Sequence, residues 1–116
     1  MDKTKRAVLF QLEPDLAQPL QAALTAEPLR VNTHTCDDLA QLADFQAHWI
    51  FTANLTALDQ AVELATASHA KVVVVSRLAD TRTYLDAMDR GAHDYCSAPF
   101  DRAHLQWVLQ HHDRAE

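Results

Sequence analysis

Four consecutive valines, Val72 to Val75, constrain the fold of this sequence more than any other feature. A strand with apolar side chains at every position is buried on both faces, which is typical of a central parallel strand and not of an antiparallel strand with alternating polarity. The segment from Lys71 to Ser76 therefore predicts a central strand of a parallel sheet.

The rest of the chain alternates short apolar runs with longer amphipathic stretches. Four more strands are predicted, at residues 7–12, 29–34, 48–53 and 93–97, and a helix follows each of the five strands. This alternation requires a single doubly wound α/β domain, with a five-stranded parallel sheet and helices on both faces. We expect the domain to span residues 1–116, with a linker or disordered tail starting at about 112.

Two helix ends carry recognisable signals. Gly91, the only glycine in the chain, is expected to end the fourth helix in the left-handed conformation that glycine adopts without steric cost. Asp101 is expected to cap the fifth helix. On the fourth helix, Leu85 and Met88 are predicted to face the core. The spacing of Leu105 and Val108 leaves Trp107 on a side of the fifth helix that faces solvent.

Composition excludes several classes of function. The chain has a net charge of −6 and no cluster of basic residues, which argues against direct binding to nucleic acid. No segment approaches the roughly 20 apolar residues of a membrane span. Cys36 and Cys96 lack CxxC spacing, and the N-terminal apolar run is too short for a signal peptide, so a cytoplasmic protein is expected.

The seven histidines do not form a metal motif, because they are scattered or, like His104 and His111, two turns apart on a helix. A glycine-rich phosphate loop is also missing, since Gly91 stands alone. Ser76 has no activating base at the strand ends. The sequence therefore predicts neither an enzyme nor a bound cofactor or metal.

The segment AMDRGAHDYCSAPF, residues 87–100, resembles response-regulator receiver domains, and EPDLAQPLQAAL resembles their first helix. The resemblance extends over nearly the whole chain and implies the flavodoxin-like strand order 2-1-3-4-5. Ser76 precedes Ala98 by 22 positions, as the switch hydroxyl precedes the lysine in that family. Pro99 is the candidate for the cis proline of the family.

An active receiver has two acidic residues that bind Mg²⁺, an Asp that accepts the phosphoryl group, a Ser or Thr, and a Lys. At the positions that the resemblance assigns to these residues, this chain has few of the required side chains. The degenerate positions are Gln11, Leu12 and Glu13 for the acids, Ala53 or Asn54 for the phosphoacceptor, Ser76 for the hydroxyl and Ala98 for the lysine.

These departures predict a pseudo-receiver, a signalling domain that acts without phosphorylation through a protein partner or a homodimer. Two alternatives stay open: a sensor that binds an uncharged small molecule in the strand-end crevice, and a conventional phosphoacceptor. The resemblance implies a partner face made of the fourth helix, the fifth strand and the fifth helix, with Tyr95 as switch aromatic. The candidate interface residues are Tyr84, Arg90, Tyr95, Arg102 and Trp107, and an output or sensor domain is expected beyond Glu116.

Overall fold

The computed structural model describes residues 6–26, 29–38, 40–41, 48–53, 55–68, 70–77, 81–98 and 100–113, and only the backbone of 55, 67, 68, 102 and 110–113. The strands are β1 (Arg6–Phe10), β2 (Asn32–Cys36), β3 (Trp49–Thr52), β4 (Lys71–Ser76) and β5 (Asp94–Ser97). The helices are α1 (Pro14–Thr25), α2 (Leu55–Ser68), α3 (Thr81–Asp89) and α4 (Arg102–Asp113).

The five strands form one parallel sheet in the order β2-β1-β3-β4-β5. Both the strand number and the order agree with the sequence prediction. Ala40 and Gln41 are helical, but most of the helix predicted between β2 and β3 lies outside the described residues. The last helix continues to Asp113 and so includes the first two residues of the predicted linker.

The sheet is buried on both faces, and the valine run shows why. Val73 and Val75 belong to a core cluster formed with α1 and α4, whereas Val72 and Val74 belong to a second cluster formed with α2 and α3. Each cluster holds large buried side chains from β1 and β3, such as Leu9 on the first face and Ile50 on the second. No helix in the described ranges is long and apolar enough to cross a membrane.

Two histidines extend the strand pairing at the amino end of the sheet. His93 donates its backbone N–H to the carbonyl of Val72 (2.7 Å), and its Nδ1 accepts the N–H of Val72 (3.0 Å). His48 has the same pair of contacts with Arg6, at 2.9 Å and 3.1 Å. In each case the imidazole takes the place of a neighbouring strand's carbonyl, and the pair of bonds aligns the start of one strand with its neighbour.

The ends of α3 and α4 follow the sequence signals. Gly91 has φ +107°, and the N–H of Ala92 returns to the carbonyl of Ala87 (3.0 Å), which closes the end of α3. The Asp101 carboxylate accepts the N–H of Ala103 (3.0 Å) at the start of α4. The prediction for Leu85 is wrong: its side chain is 57% exposed, because α3 turns Ala87 to the sheet.

Candidate functional site

The carboxyl ends of the strands are the expected position of a site in a doubly wound sheet. Gln11 directly follows β1 and has φ 54°. Its backbone N–H donates to the carbonyl of Cys36 (2.8 Å), and its Nε2 donates to the carbonyl of Asp37 (3.2 Å). Gln11 is thus bound to the end of β2, and its side-chain amide holds the two loops together.

The other degenerate positions near this edge contribute apolar side chains. Leu12 and Ala53 are partly buried and pack against the α1 and α4 side of the core. The N–H of Ala98 donates to the carbonyl of Ser76 (2.7 Å), so the residues predicted for the switch hydroxyl and the lysine position are neighbours. Asn54 and Pro99 lie outside the described residues, so the alternative phosphoacceptor register and the cis proline stay predictions.

A charged cluster that the sequence analysis did not predict lies at the same edge. Arg77 follows β4, and its Nε and Nη2 donate to the two carboxylate oxygens of Asp15 at 2.9 Å and 2.8 Å. Its Nη2 also contacts the carboxylate of Glu13. These contacts raise the pKa of the Arg77 guanidinium above its usual value, with the hydrogen bond to Glu13 as the largest cause. Arg77 therefore stays charged between the two carboxylates.

The residues at this edge do not fit the magnesium site of a receiver. Mg²⁺ requires oxygen ligands in octahedral geometry, and Leu12 and Ala53 supply no side-chain oxygen. Two carboxylates at this edge, those of Glu13 and Asp15, already share the guanidinium of Arg77. Over the part of the chain that the structure describes, no group of three His, Cys, Asp or Glu side chains could hold a metal ion.

Solved structures of other proteins share this fold. A response regulator from Thermotoga maritima aligns over 93% of this chain and 96% of its own, with 16% identity and a TM-score of 0.73. This chain has the receiver fold. A CheY-like protein (tadZ) from Pseudomonas aeruginosa covers 93% of this chain and 98% of its own, with 17% identity and a TM-score of 0.71.

The receiver fold also occurs in the pilus assembly protein CpaE from Caulobacter crescentus, which aligns at 20% identity with a TM-score of 0.64. That alignment covers 90% of this chain and 89% of CpaE as solved. No protein-family model and no curated protein sequence matches the chain. The similarity is therefore one of three-dimensional structure.

The predicted partner face of the receiver fold carries exposed aromatic residues. Tyr84 on α3 is 42% exposed and meets the ring of Tyr95 on β5 edge to face, with ring centroids 5.8 Å apart. Trp107 on α4 is 54% exposed, as its helical position predicts, and stacks on His104. Leu85 adds an exposed aliphatic side chain to α3.

Of the two arginines predicted for this face, only Arg90 has a side chain within the described residues. Arg90 donates from Nη1 to the Asp59 carboxylate of α2 at 2.7 Å, so its guanidinium is directed toward α2. Arg102 begins α4, and its side chain lies outside the described residues. Tyr84 and Trp107 of the predicted interface are therefore exposed, and so is Leu85, which was not predicted to belong to it.

Proposed function

We propose that this chain is a regulatory domain of the receiver type that acts without phosphorylation, as a protein-interaction or dimerisation module in two-component-type signalling. The observation that carries the proposal is the ion-pair cluster of Arg77 with Glu13 and Asp15. In this cluster the guanidinium of Arg77 places a positive charge at the carboxyl edge of the sheet, in contact with the carboxylates of Glu13 and Asp15. The domain then needs neither a metal nor a phosphoryl group to balance the charges there.

The apolar residues around this cluster support the same proposal. Ala53 offers no carboxylate to form an acyl phosphate, and Ala98 offers no ammonium group to hold phosphoryl oxygens. Leu12 and Ala53 pack against the core, which leaves less room for a small molecule in the strand-end crevice. The alternatives of a phosphoacceptor and of a crevice ligand are therefore less favoured than a protein-interaction role, and no enzymatic activity is proposed.

The exposed side chains of α3 and α4 support the interaction role. Tyr84, Leu85 and Trp107 are the large apolar side chains that are most exposed among the described residues. Trp and Tyr are enriched where partner proteins bind most tightly. We propose a second copy of the chain as the occupant of this face, with residues 1–116 as the domain and any linker beginning at about residue 114.

The decisive experiment is a titration with Mg²⁺ and beryllofluoride, followed by backbone NMR. We expect no saturable change at the amides of Ser76, Tyr95 or Ala98, since the site lacks an acceptor carboxylate. A conventional receiver domain treated in parallel provides the positive control. Saturable shifts at these amides in this chain would contradict the proposal.

A matched variant separates the effect of the ion pairs from that of the missing acceptor. Arg77→Gln removes the cation and keeps a shorter polar side chain that can still donate hydrogen bonds. If the proposal holds, the variant also shows no saturable NMR shifts with beryllofluoride, because Ala53 still cannot be phosphorylated. Its own spectrum changes near Glu13 and Asp15 as the cluster is lost.

A further inference from the structure

A cavity of about 350 Å³ opens at the amino end of the sheet, on the side covered by α2. Its walls come from the end of α2, the start of β4 and the turn between α3 and β5. Because Lys71 begins β4 and Ser76 ends it, the cavity lies at the opposite end of the strand from the receiver site. Its volume falls at the lower end of the range of roughly 300–1,000 Å³ for ligand pockets.

Gly91 shapes one wall of this cavity. A Cβ atom built on Gly91 would come to 3.0 Å from Cγ1 of Val62, so a larger residue would press against the opposite wall. The left-handed turn requires glycine for its backbone conformation, and because glycine has no side chain, none projects into the cavity at this position. Val62, Ala65 and Ala70 contribute the apolar part of the lining, beside the polar residues Thr66, Lys71 and His93.

The lining also contains a cationic side chain. Lys71 is half-buried in the wall, and none of the ion pairs described for this structure involves it. The Nδ1 of His93 accepts the N–H of Val72 and is therefore engaged in the strand pairing. The acidic residue next to His93, Asp94, uses a carboxylate oxygen to accept the N–H of Tyr95.

We infer that this cavity binds a small organic carboxylate, with its charged group at Lys71 and its apolar body against α2. A lysine ammonium group is the natural partner of a single carboxylate, and the side chains of Val62 and Ala65 on α2 give a hydrocarbon or aromatic portion of the ligand an apolar surface to contact. In a chain with a net charge of −6, an anion is attracted only where a local cation overcomes the overall repulsion. This inference does not depend on how the receiver site functions.

The test is an NMR titration of the labelled domain with benzoate, and with benzamide as a neutral compound of the same shape. We expect saturable shifts with benzoate at the amides of Thr66, Lys71 and Gly91, and about tenfold weaker binding of benzamide. Benzoate shifts that do not saturate, or equal affinity for the two compounds, would overturn the inference.

Three variants locate the binding site. Lys71→Met removes the charge and keeps the aliphatic stem, and we expect it to weaken benzoate binding about tenfold. Thr66→Phe keeps the charge and fills the open rim from the exposed face of α2, and it should also lower the affinity. Arg82→Met, a charge loss at an exposed residue of α3 outside the lining, is the control. Unchanged affinity in both of the first two variants would refute the site.

Discussion

Thr52, at the end of β3, has a fully buried side chain whose hydroxyl finds no hydrogen-bond partner within the described residues. Thr52 is the last residue of β3 and pairs in register with Val74 of β4. A buried polar atom without a partner loses the solvation it has in the unfolded chain. The hydroxyl is thus a cost to the folded state that an isosteric methyl group would remove.

We predict that Thr52→Val raises the free energy of unfolding by about 1–3 kcal/mol, because it removes the unsatisfied hydroxyl and nearly keeps the shape. Chemical denaturation measures the change. Thr25→Val is the control, since the Thr25 hydroxyl is exposed and donates to the carbonyl of Gln21 (2.9 Å). Destabilisation by Thr52→Val would show that the hydroxyl has a partner and would contradict the prediction.

Cys96 makes a second prediction at the residue scale. Burial, and to a smaller extent Asp94, raises the pKa of its thiol from 9.0 to about 12. As the pH rises, the thiol ionises first in the unfolded chain, and this ionisation favours unfolding. The contribution of the neutral thiol to the stability of the folded state is therefore complete below pH 9 and is lost as the pH approaches 12. Above pH 9 the wild type should lose about 1.4 kcal/mol per pH unit relative to Cys96→Ala. Denaturation at pH 8 to 10.5 tests this, and parallel pH profiles would refute it.

Among the secondary-structure elements, the starts of β3 and β5 depend on the histidines that precede them. The contact of His93 with Val72 is partly buried, whereas that of His48 with Arg6 is exposed, so water can replace only the second easily. We predict that His93→Ala costs about 1–3 kcal/mol of unfolding free energy and that His48→Ala costs clearly less.

His93→Asn provides the matched variant for this prediction. Its amide oxygen can accept the N–H of Val72 from nearly the position of Nδ1, so it should recover part of the lost free energy. Hydrogen exchange at Val72 reports the contact directly. Equal costs for the alanine variants of the two histidines would argue against the difference in burial as the cause.

The elements also show which features the sequence could predict. The valine run and the single glycine fixed β4 and the end of α3, because each depends on local chemistry alone. Leu85 was misassigned since α3 is short and buries only Ala87 in the described structure, so periodicity did not identify the buried side. The ion pairs of Arg77 were not predicted because its partners are 62 and 64 positions away and meet it only when the sheet has formed.

At the scale of the whole molecule, the exposed side chains of α3 and α4 predict self-association. We expect Trp107→Ala to weaken dimerisation in sedimentation experiments without changing the free energy of unfolding, since a side chain that is 54% exposed contributes little to the core. Leu85→Ala should act in the same direction. Gln60→Ala, at an exposed position of α2, is the control.

A wild-type chain that stays monomeric at every concentration would refute the homodimer and leave a different protein as the partner. Small-angle scattering gives an independent measurement. The Cα radius of gyration of a single copy is 12.8 Å, and a rise of the measured radius with protein concentration, relative to the value at the lowest concentration, would report the association.

The strand order also governs how the chain can fold during its synthesis. Each pairing in the sheet is parallel and joins segments on either side of a crossover, and even β4 and β5 meet through residues as distant as Val73 and Asp94. None of the described strands forms a hairpin that could nucleate the sheet, which favours slow folding. β1 leaves the ribosome before the other four strands, yet it can pair with β3 only when Trp49 has been synthesised and reaches Ala7. Until then the apolar β1 is a segment that a chaperone would bind, and the emergence of β3 ends that exposure.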